Sequence, residues 1–447
     1  MQVYGKIDGA ASERAVRPLA HPLSGEFSVP GDKSLSHRAL LLASMARSAS
    51  RLRGLLDSWD VRSTFDILRQ LGVSVSGSWD DLRLQGWGDE RRAGPLRLDC
   101  GNSGTAMRLL SGVLAAGQGE YILSGDASLN SRPMRRIIGP LRAMGVDISG
   151  SAGFTAPLVL RSQSRLRAIE WTLPMASAQV KSCILLAGVQ AEGETVIFGD
   201  GGSRDHTERL LTSLGVSVAE ADGIVRLQGP ARWDGFQFCI PGDLSSAAFL
   251  AALALLVPGS DIRIKGVNLN PTRLGFFRLA QRMGADLSWQ ERGAEMGEPW
   301  GDLQVRFSVL NGIEIAPDEV PGCQDELMLL AVLASAASGV TSVSGAGELR
   351  CKESNRLAYT VRELRRLGAD ICELEDGWRV RGPVRWQSGR VTTHGDHRLE
   401  MSLAAAALAA SPPRETLIEN TGWSAVSWPR FWENNIFARQ DVPGGKR

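Results

Sequence analysis

A short pattern of Leu or Met, Gly, Val or Ala, Ser or Asp, and an apolar residue recurs along this chain. Its glycines are Gly72, Gly145, Gly215, Gly284 and Gly368, which lie 73, 70, 69 and 84 residues apart. A recurring interval of this size indicates one supersecondary unit used repeatedly. Each copy ends a helix-like stretch at a glycine, the residue that fits a left-handed C-cap, and enters an alternating strand pattern. With 447 residues, the chain has room for six units of about this length.

A second recurring element is a run of Ala, Leu and Ser with few charges. Runs of this composition, about three turns long, are typical of helices that are buried all round. Each begins at a polar or charged turn, and such helix starts leave backbone N–H groups without partners. If the helices are parallel, their positive ends meet at one place and can bind an anion. The six runs begin near Lys33, Gly104, Ser177, Asp243, Asp325 and Asp396.

Two of these helix starts resemble each other closely and indicate two pseudo-symmetric halves. Residues 29–34 read Val-Pro-Gly-Asp-Lys-Ser, and residues 240–245 read Ile-Pro-Gly-Asp-Leu-Ser. Alternating segments at residues 81–85 and 223–227 predict hairpin strands after the glycine caps. The sequence therefore predicts an α/β protein of two domains with three units each. One domain spans residues 29–240, and the other is discontinuous, with residues 1–28 and 241–447.

Composition excludes several classes of function. A formal net charge of +1 gives no overall attraction to nucleic acid or to an anionic membrane. The first 20 residues lack the apolar stretch of a signal peptide, and apolar runs are too short to span a bilayer, so we expect a cytoplasmic protein. The six cysteines form no CxxC pair and no zinc pattern, and we interpret most of them as buried reduced thiols. His394 and His397 are three residues apart but have no evident third ligand, so no metal site is predicted.

Charged residues concentrate beside the helix starts. Lys33 and Arg38 flank the first start, which lacks the glycines of a P-loop. Lys352, Glu353 and Arg356 fall within one helical turn and can bind an anion and move a proton, although a solvated helix start has the same composition. Arg132 and Arg398 add further cations, and Asp325 supplies a carboxylate at an acidic start. Together these residues suggest a multiply anionic substrate and a carboxylate base.

Eight segments in order along the chain, from about residue 25 to residue 435, resemble the 3-phosphoshikimate 1-carboxyvinyltransferase (EPSP synthase) family. They are PGDKSLSHRALLLA, GNSGTAMRLLSG, GDASLNSRPMRRIIGPLRAMG, SAQVKSCILLAG, SRDHTERLL, QDEL, ELRCKESNRL and GDHRLEMSLA. The resemblance implies two domains, each of three βαβαββ-type units in an inverted α/β barrel-like arrangement with buried parallel helices. The helix starts then face an interdomain cleft that holds the active site.

The resemblance also implies a reaction. This family transfers the enolpyruvyl group of phosphoenolpyruvate to the 5-hydroxyl of shikimate 3-phosphate through a tetrahedral intermediate and releases phosphate, a step of chorismate and aromatic amino acid biosynthesis. No cofactor or metal is implied. The expected partners are these two small molecules, with no nucleic acid and no membrane, and the protein is expected to be a monomer.

Roles of individual residues follow from the matching motifs. Asp325 corresponds to the base, Lys352 and Glu353 to groups that bind substrate and transfer protons, and Lys33 to the lysine between both substrates. We expect the cations near Asp325 to lower its pKa. Residues expected to bind shikimate 3-phosphate are Lys33, Ser34, Arg38, Ser177, Gln179, Ser203, Arg204, Asp325 and Lys352. Residues expected to bind phosphoenolpyruvate are Lys33, Gly104, Arg132, Gln179, Arg356 and Arg398.

Some positions depart from the family pattern. Many relatives have a lysine near Val426, so that phosphate contact is absent here or comes from another residue. Asn130 and Ser131 stand where a basic residue is common, and Asn355 replaces a common Asp. Gly104, without a Cβ, is expected to leave room for the inhibitor glyphosate.

Three other functions are compatible with parts of the pattern. The sister enzyme that uses UDP-N-acetylglucosamine shares the fold, but its family has Lys-Asn at the first helix and a reactive loop cysteine, which this chain lacks near Arg132. A non-catalytic anion-binding protein would not need the complete set of charged groups. A nucleotide-dependent kinase is suggested only by Lys33-Ser34. Because the charged residues are divided between the two halves, we expect the domains to close on substrate.

Overall fold

The fold is known from a computed structural model, which describes residues 12–87, 92–163, 165–410 and 415–437. The α-helices are α1 (Lys33–Met45), α2 (Trp59–Gln70), α3 (Gly104–Val113), α4 (Ala127–Ser131), α5 (Arg135–Ala143), α6 (Ala178–Gly188), α7 (His206–Ser213), α8 (Leu244–Leu256), α9 (Gly275–Arg282), α10 (Leu327–Ala336), α11 (Arg356–Arg366) and α12 (His397–Leu408). Short 3-10 helices span Pro271–Arg273, Val320–Gly322, Gln324–Glu326, Gly347–Cys351 and Trp423–Val426.

The strands are short and numerous. They are β1 (Ser12–Val16), β2 (Ser24–Phe27), β3 (Ala49–Arg53), β4 (Ser74–Ser78), β5 (Asp81–Gln85), β6 (Leu96–Asp99), β7 (Glu120–Ser124), β8 (Asp147–Ser149), β9 (Leu158–Arg161), β10 (Leu166–Arg167), β11 (Glu170–Thr172), β12 (Ala191–Phe198), β13 (Val218–Ala221), β14 (Ile224–Gly229), β15 (Gln237–Cys239), β16 (Asp261–Asn268), β17 (Asp286–Glu295), β18 (Glu298–Arg306), β19 (Glu314–Ile315), β20 (Gly339–Val343), β21 (Asp370–Glu373), β22 (Trp378–Gly382), β23 (Arg390–Thr392) and β24 (Thr416–Thr421).

The repeated glycines cap helices in the way the sequence predicts. Gly72, Gly145, Gly215, Gly284 and Gly368 follow α2, α5, α7, α9 and α11, and each has φ between +82° and +102°. At the first copy, the N–H of Gly72 donates to Arg69 and that of Val73 donates to Leu68, which is the Schellman motif. The other four copies repeat the same two hydrogen bonds. Each cap then leads into a hairpin such as β4–β5 or β13–β14, as expected.

One sheet plan recurs in the described chain. In the sheet β6-β7-β9-β8, β6 and β7 are parallel, and β7, β9 and β8 continue antiparallel. The parallel pair is joined through buried α3, and β7 reaches the hairpin through α5, which gives the order βαβαββ. Four further sheets have the same plan, and they are β15-β3-β5-β4, β10-β12-β14-β13 with β11 beside β12, β2-β16-β18-β17 and β19-β20-β22-β21. The last sheet is β1-β24-β23, in which β1 from the N-terminal region replaces the hairpin, and this explains why the glycine pattern has five copies.

Two strands are exchanged between the halves of the molecule. β2, which precedes α1, pairs in parallel with β16, whereas β15, which precedes α8, pairs in parallel with β3. The two similar segments at residues 29–34 and 240–245 therefore run beside each other where the chain crosses. The N–H of Asp32 donates to Pro241 at 2.8 Å, and the N–H of Asp243 donates to Pro30 at 2.8 Å.

The apolar residues form two separate cores. In the described chain, one cluster contains buried residues between Leu35 and Ile240, and the other contains Val16, Leu23 and residues between Leu244 and Ile436. The helices α1, α3 and α6 are buried in the first cluster, and α8, α10 and α12 are buried in the second. Burial of apolar surface contributes about 25 cal/mol of stabilising free energy per Å². This burial is the main stabilising contribution of these helices.

The interpretation of the cysteines as mostly buried is only half correct. Cys100, Cys183 and Cys323 are buried, but Cys239, Cys351 and Cys372 are exposed, and all six are free thiols. Cys239 and Cys372 lie on the edge strands β15 and β21, where alternate side chains face solvent. No helix in the described ranges is long and apolar enough to cross a membrane. His394 stacks on Tyr359, and the described residues contain no group of three His, Cys, Asp or Glu side chains that could hold a metal.

Candidate active site

A cleft of about 610 Å³ lies between the two cores, and the starts of the six buried helices surround it. The first turns of α1, α3, α6 and α12 line it directly, together with Asp243 before α8 and Asp325 before α10. All fourteen residues predicted for the site line this cleft: Lys33, Ser34, Arg38, Gly104, Arg132, Ser177, Gln179, Ser203, Arg204, Asp325, Lys352, Glu353, Arg356 and Arg398. The converging positive helix ends favour an anionic ligand.

The polar turns that begin these helices are built by N-caps. Asp32 accepts a hydrogen bond from the N–H of Leu35, Ser103 from that of Ala106, and Asp243 from that of Ser246. Asp396 caps α12 by accepting from two backbone N–H groups. Ser177, in contrast, makes no side-chain cap hydrogen bond at the start of α6. Capping satisfies some of the N–H groups that a helix start leaves open, and at α6 no side chain does so.

Three buried arginines, one from the first half of the chain and two from the second, line the cleft. Arg356, which is 2% exposed, donates from Nε to Asp396 Oδ2 at 2.8 Å and lies 2.8 Å from Glu353. Arg132 donates to Asn102 and Ser128. Arg398 Nη1 and Arg132 Nε are buried, and neither has a hydrogen-bond acceptor among the described residues. A buried guanidinium N–H without an acceptor is costly, so these donors indicate a place for an anion.

Asp325 lies beside cations from both sides of the cleft. Its Oδ2 is 2.6 Å from Arg204 Nη2, and its Oδ1 is 3.4 Å from Arg356 Nη1. Burial alone raises the pKa of a carboxyl group, but Arg204, Arg398 and further cations outweigh it and hold the pKa of Asp325 well below its usual range. The expectation that nearby cations keep this carboxylate ionised agrees with the geometry.

Glu353 is held in a similar electrostatic environment. Arg356 Nη2 lies 2.8 Å from its Oε2, and Arg132 Nη1 lies 3.7 Å from its Oε1. Burial opposes ionisation, but Arg356 and Arg132 outweigh it and keep the pKa of Glu353 well below the usual value. In this state Glu353 is therefore a carboxylate rather than a proton donor.

The two lysines of the site have polar partners. Lys33 Nζ lies 2.5 Å from Asp60 Oδ2, and the backbone N–H of Lys33 donates to Asp243. Lys352 Nζ donates to Gln324 Oε1 at 2.9 Å. His397, close to Lys33, is neutral at pH 7, because burial and the cations Lys33 and Arg398 keep its pKa well below the usual range.

Arg38, expected to bind shikimate 3-phosphate, already makes three hydrogen bonds within the protein. Its Nε donates to Thr207, its Nη2 to Ser182 and its Nη1 to the backbone oxygen of Ser34. Since a guanidinium has five N–H bonds, two remain, one on each terminal nitrogen. Burial, as the largest cause, lowers the pKa of Arg38 to about 10, so it stays charged at neutral pH.

Sequence reasoning missed several groups of the cleft, and Arg108 is the most consequential. Arg108 lies one turn after Gly104 on α3 and donates to Gln179 Oε1 at 2.5 Å. Burial and the neighbouring Arg132 lower its pKa to about 10. A Cβ on Gly104 would lie 2.7 Å from Arg108 Nη1 and 3.4 Å from Arg132 Nη1. The sequence signal that could have identified Arg108 is its position as a single arginine in an otherwise apolar run. Further unpredicted side chains that line the cleft include Asp60, Arg136, Arg273, Gln324 and Glu348.

The departures from the family pattern have visible consequences. Asn355 caps α11 by accepting from the N–H of Ala358, and Asn130 bonds both backbone groups of Gly125. Val426 is buried in a 3-10 helix. Among the described residues that line the cleft, none follows Arg398 in the chain.

Comparison with known proteins gives consistent matches over nearly the whole chain. A family model described as EPSP synthase (3-phosphoshikimate 1-carboxyvinyltransferase) matches residues 19–434. A 3-phosphoshikimate 1-carboxyvinyltransferase of Shouchella clausii is 44% identical over 414 residues, which is 92% of this chain and 96% of the relative. The relative of the same name from Halorhodospira halophila is 45% identical over 413 residues, 92% of this chain and 93% of its own.

Solved structures show the same likeness. The chain resembles an EPSP synthase from Acinetobacter baumannii with a TM-score of 0.85 and 38% identity, over 96% of this chain and 98% of that one. It also resembles the enolpyruvyl transferase NikO from Streptomyces tendae with a TM-score of 0.77, over 96% of this chain and 98% of that one. At 18% identity, the second likeness bears on the fold alone.

Proposed function

The chain belongs to the EPSP synthase family, and we propose that the cleft between its two cores carries out the family's reaction with the residues described above. The enzyme transfers the enolpyruvyl group of phosphoenolpyruvate to the 5-hydroxyl of shikimate 3-phosphate and releases phosphate. One observation carries the assignment of the site. Six helix starts and several buried arginines meet at one cleft, and within the described chain two buried guanidinium nitrogens, Arg132 Nε and Arg398 Nη1, have no hydrogen-bond acceptor at all.

Phosphoenolpyruvate binds, in this proposal, between Arg132, Arg356 and Arg398. Their guanidinium groups match the phosphate and carboxylate oxygens in charge and in geometry. Gly104 at the start of α3 lets the phosphate approach the backbone, because no Cβ stands beside the two arginines. Gln179, which Arg108 and Thr105 hold, reaches the same space.

Shikimate 3-phosphate binds on the side of the cleft formed by α1, α6 and the segment before α7. Its phosphate lies at the start of α6, near Ser177 and the pair Ser203 and Arg204, and Gln179 is within reach of both substrates. The two remaining N–H bonds of Arg38, with Ser34 beside them, face its carboxylate. The helix start favours the phosphate because its N–H groups are open.

Asp325 serves as the base for the 5-hydroxyl. It must be ionised to accept a proton, and its lowered pKa supplies that form at neutral pH. Before substrate binds, the carboxylate of Asp325 forms ion pairs with Arg204 at 2.6 Å and with Arg356 at 3.4 Å. When the substrates engage these arginines, the carboxylate is released, and its pKa rises toward a value suited to proton transfer.

Protonation of the phosphoenolpyruvate methylene falls to Glu353 and Lys352. Glu353 is ionised in the free protein because Arg356 and Arg132 stabilise its charge. Both arginines also belong to the proposed phosphoenolpyruvate site. A multiply charged anion bound there neutralises them, raises the pKa of Glu353 and allows it to carry a proton. Lys33 is paired with Asp60 at 2.5 Å in this structure. In the reaction, its ammonium group stabilises the negative charge that develops between the two substrates.

The organisation of the whole chain is part of the proposal. We assign residues 29–240 to one domain and residues 1–28 with 241–447 to the other, in agreement with the two cores and the crossing segments. Six free thiols agree with residence in the reducing cytoplasm. We also propose that the protein acts as a monomer.

Calorimetric titration tests the site assignment directly. The titration uses Asp325→Asn, in which the two substrates are not expected to react with each other. Phosphoenolpyruvate should bind this variant more tightly in the presence of shikimate 3-phosphate, and adding Arg398→Gln should lose about tenfold or more of that affinity. UDP-N-acetylglucosamine in place of shikimate 3-phosphate should have no effect. If only UDP-N-acetylglucosamine increased the affinity for phosphoenolpyruvate, the result would contradict the proposed function and favour the reaction of the sister enzyme.

A further inference from the structure

A buried charged cluster lies directly beneath the segment that carries Ser203 and Arg204. Its centre is Lys181 on α6, whose side chain is completely buried. Lys181 Nζ lies 2.8 Å from Asp200 Oδ2 and 2.6 Å from Glu208 Oε1. None of the roles assigned above uses these three groups. An ammonium group in a protein interior is costly unless opposite charges compensate it, and here two carboxylates do so.

The cluster connects directly to the proposed phosphate site. Asp200 Oδ1 accepts the hydrogen bond of the Ser203 hydroxyl at 2.5 Å, and Lys181 Nζ donates to the backbone oxygen of Ser203 at 3.3 Å. Lys181 itself lies one helical turn after Ser177, and its N–H donates to the backbone oxygen of Ser177. One side chain therefore ties the start of α6 to the loop that precedes α7.

The hydrogen bond of Ser203 has an electrostatic consequence. A hydroxyl has one proton, and here it is given to Asp200, so it reaches a phosphate oxygen only if Asp200 releases it. Asp200 is also a negative charge close to where the phosphate is proposed to bind. Lys181 compensates this charge, weakens Asp200 as an acceptor and holds the loop by its backbone. All three effects favour an anion above Ser203.

We propose that Lys181 is a positioning residue for shikimate 3-phosphate, acting through Asp200 and Ser203 without contacting the substrate. The inference rests on the proposed function, because it needs the phosphate to bind at Ser177, Ser203 and Arg204. It predicts an effect on one substrate. Within the described chain, the arginines proposed to bind phosphoenolpyruvate, Arg132, Arg356 and Arg398, form no ion pair or hydrogen bond with Lys181, Asp200 or Glu208.

Steady-state kinetics with two variants tests this role. Lys181→Met keeps the length of the side chain but leaves Glu208 buried without its counter-charge, so the variant is expected to be less stable. The second variant, Lys181→Met with Glu208→Gln, removes one charge of each sign and keeps the net charge of the cluster. It should recover the melting temperature while Asp200 remains uncompensated beside Ser203.

The expected result is a rise of about five- to tenfold in the KM for shikimate 3-phosphate in both variants, with the KM for phosphoenolpyruvate within about twofold of the wild type. A double variant that restores both the melting temperature and the wild-type KM for shikimate 3-phosphate would show that Lys181 serves stability alone, and the proposal would fall. An equal rise in both KM values would also overturn it. Absence of any turnover by the wild type with shikimate 3-phosphate would instead refute the proposed function.

Discussion

Glu298 and His206 join the two halves of the molecule through a fully buried contact whose strength depends on pH. Glu298 on β18 belongs to one core and His206 on α7 to the other, and Nδ1 of the ring lies 2.8 Å from Oε1. Asn268 and Asn270 donate to the same carboxylate. Burial alone raises the pKa of Glu298, but His206 and the two amides outweigh it and lower the pKa from the ordinary 4.5 to about 2.

The lowered pKa gives the size of the effect. Lowering the pKa of Glu298 from 4.5 to about 2 corresponds to about 3 kcal/mol of stability, which is present above pH 4.5 and is lost as the pH falls toward 2. At pH 3, which lies between these two pKa values, about 1 kcal/mol of this stability remains. Glu298→Gln removes the charge and places an amide donor against Asn268, so the variant should be less stable by about 3 kcal/mol at pH 7.

Urea unfolding of both proteins from pH 7 to pH 3, followed by tryptophan fluorescence, measures this difference. We expect the gap in unfolding free energy to narrow as the solution becomes more acidic. Glu26→Gln is the matched control, because Glu26 pairs with Lys265 on the exposed surface and its loss should change stability little at any pH. A gap for Glu298→Gln that stays constant with pH would refute the electrostatic reasoning and indicate a packing defect instead.

Three further predictions concern the cleft. Gly104→Ala places a Cβ 2.7 Å from Arg108 Nη1 and forces that guanidinium to move, so inhibition titrations should show glyphosate weakened more than phosphoenolpyruvate, and equal weakening would remove the steric argument. Arg132→Gln should raise the KM for phosphoenolpyruvate about tenfold or more in steady-state assays, and an unchanged KM would remove Arg132 from that site. Small-angle scattering should show compaction when shikimate 3-phosphate and glyphosate are added together, and an unchanged profile would count against domain closure.

The repeated unit could be predicted from the sequence because its signals are local. A glycine that must adopt positive φ after an amphipathic helix marks a C-cap wherever it occurs, and all five copies adopt that conformation. The six apolar runs with polar starts identified the buried helices. We predicted that their starts meet at one cleft by assuming that the helices pack in parallel. The structure confirms that the six starts meet at one cleft.

The exchange of β2 and β15 could not be predicted in the same way. Both strands precede similar Pro-Gly-Asp segments, and the pattern within a strand does not say which sheet it joins. The choice depends on pairing between residues more than 180 apart in sequence, such as Gln237 with Arg51. The exposure of Cys239 and Cys372 has the same origin, because a strand becomes an edge only through its position in the sheet.

The site residues were named mainly through the resemblance, and the structure adds what motifs do not contain. The hydrogen bonds that occupy Arg38 come from Thr207 and Ser182, which lie far from it in sequence. Arg108 was hidden inside an apolar helix because a single charge there is also compatible with a structural role. Lys181 belongs to a recognised motif, but its relation to Asp200 and Ser203 depends on the fold of the following loop.

Phosphate release from phosphoenolpyruvate, measured with and without shikimate 3-phosphate in the wild type and in Asp325→Asn, is the most direct test of the proposed reaction and its base. We expect release that requires shikimate 3-phosphate and falls sharply when Asp325 loses its charge, while both substrates still bind. Release that persists in Asp325→Asn would contradict the assignment of the base, and a folded wild type that releases no phosphate would contradict the reaction itself.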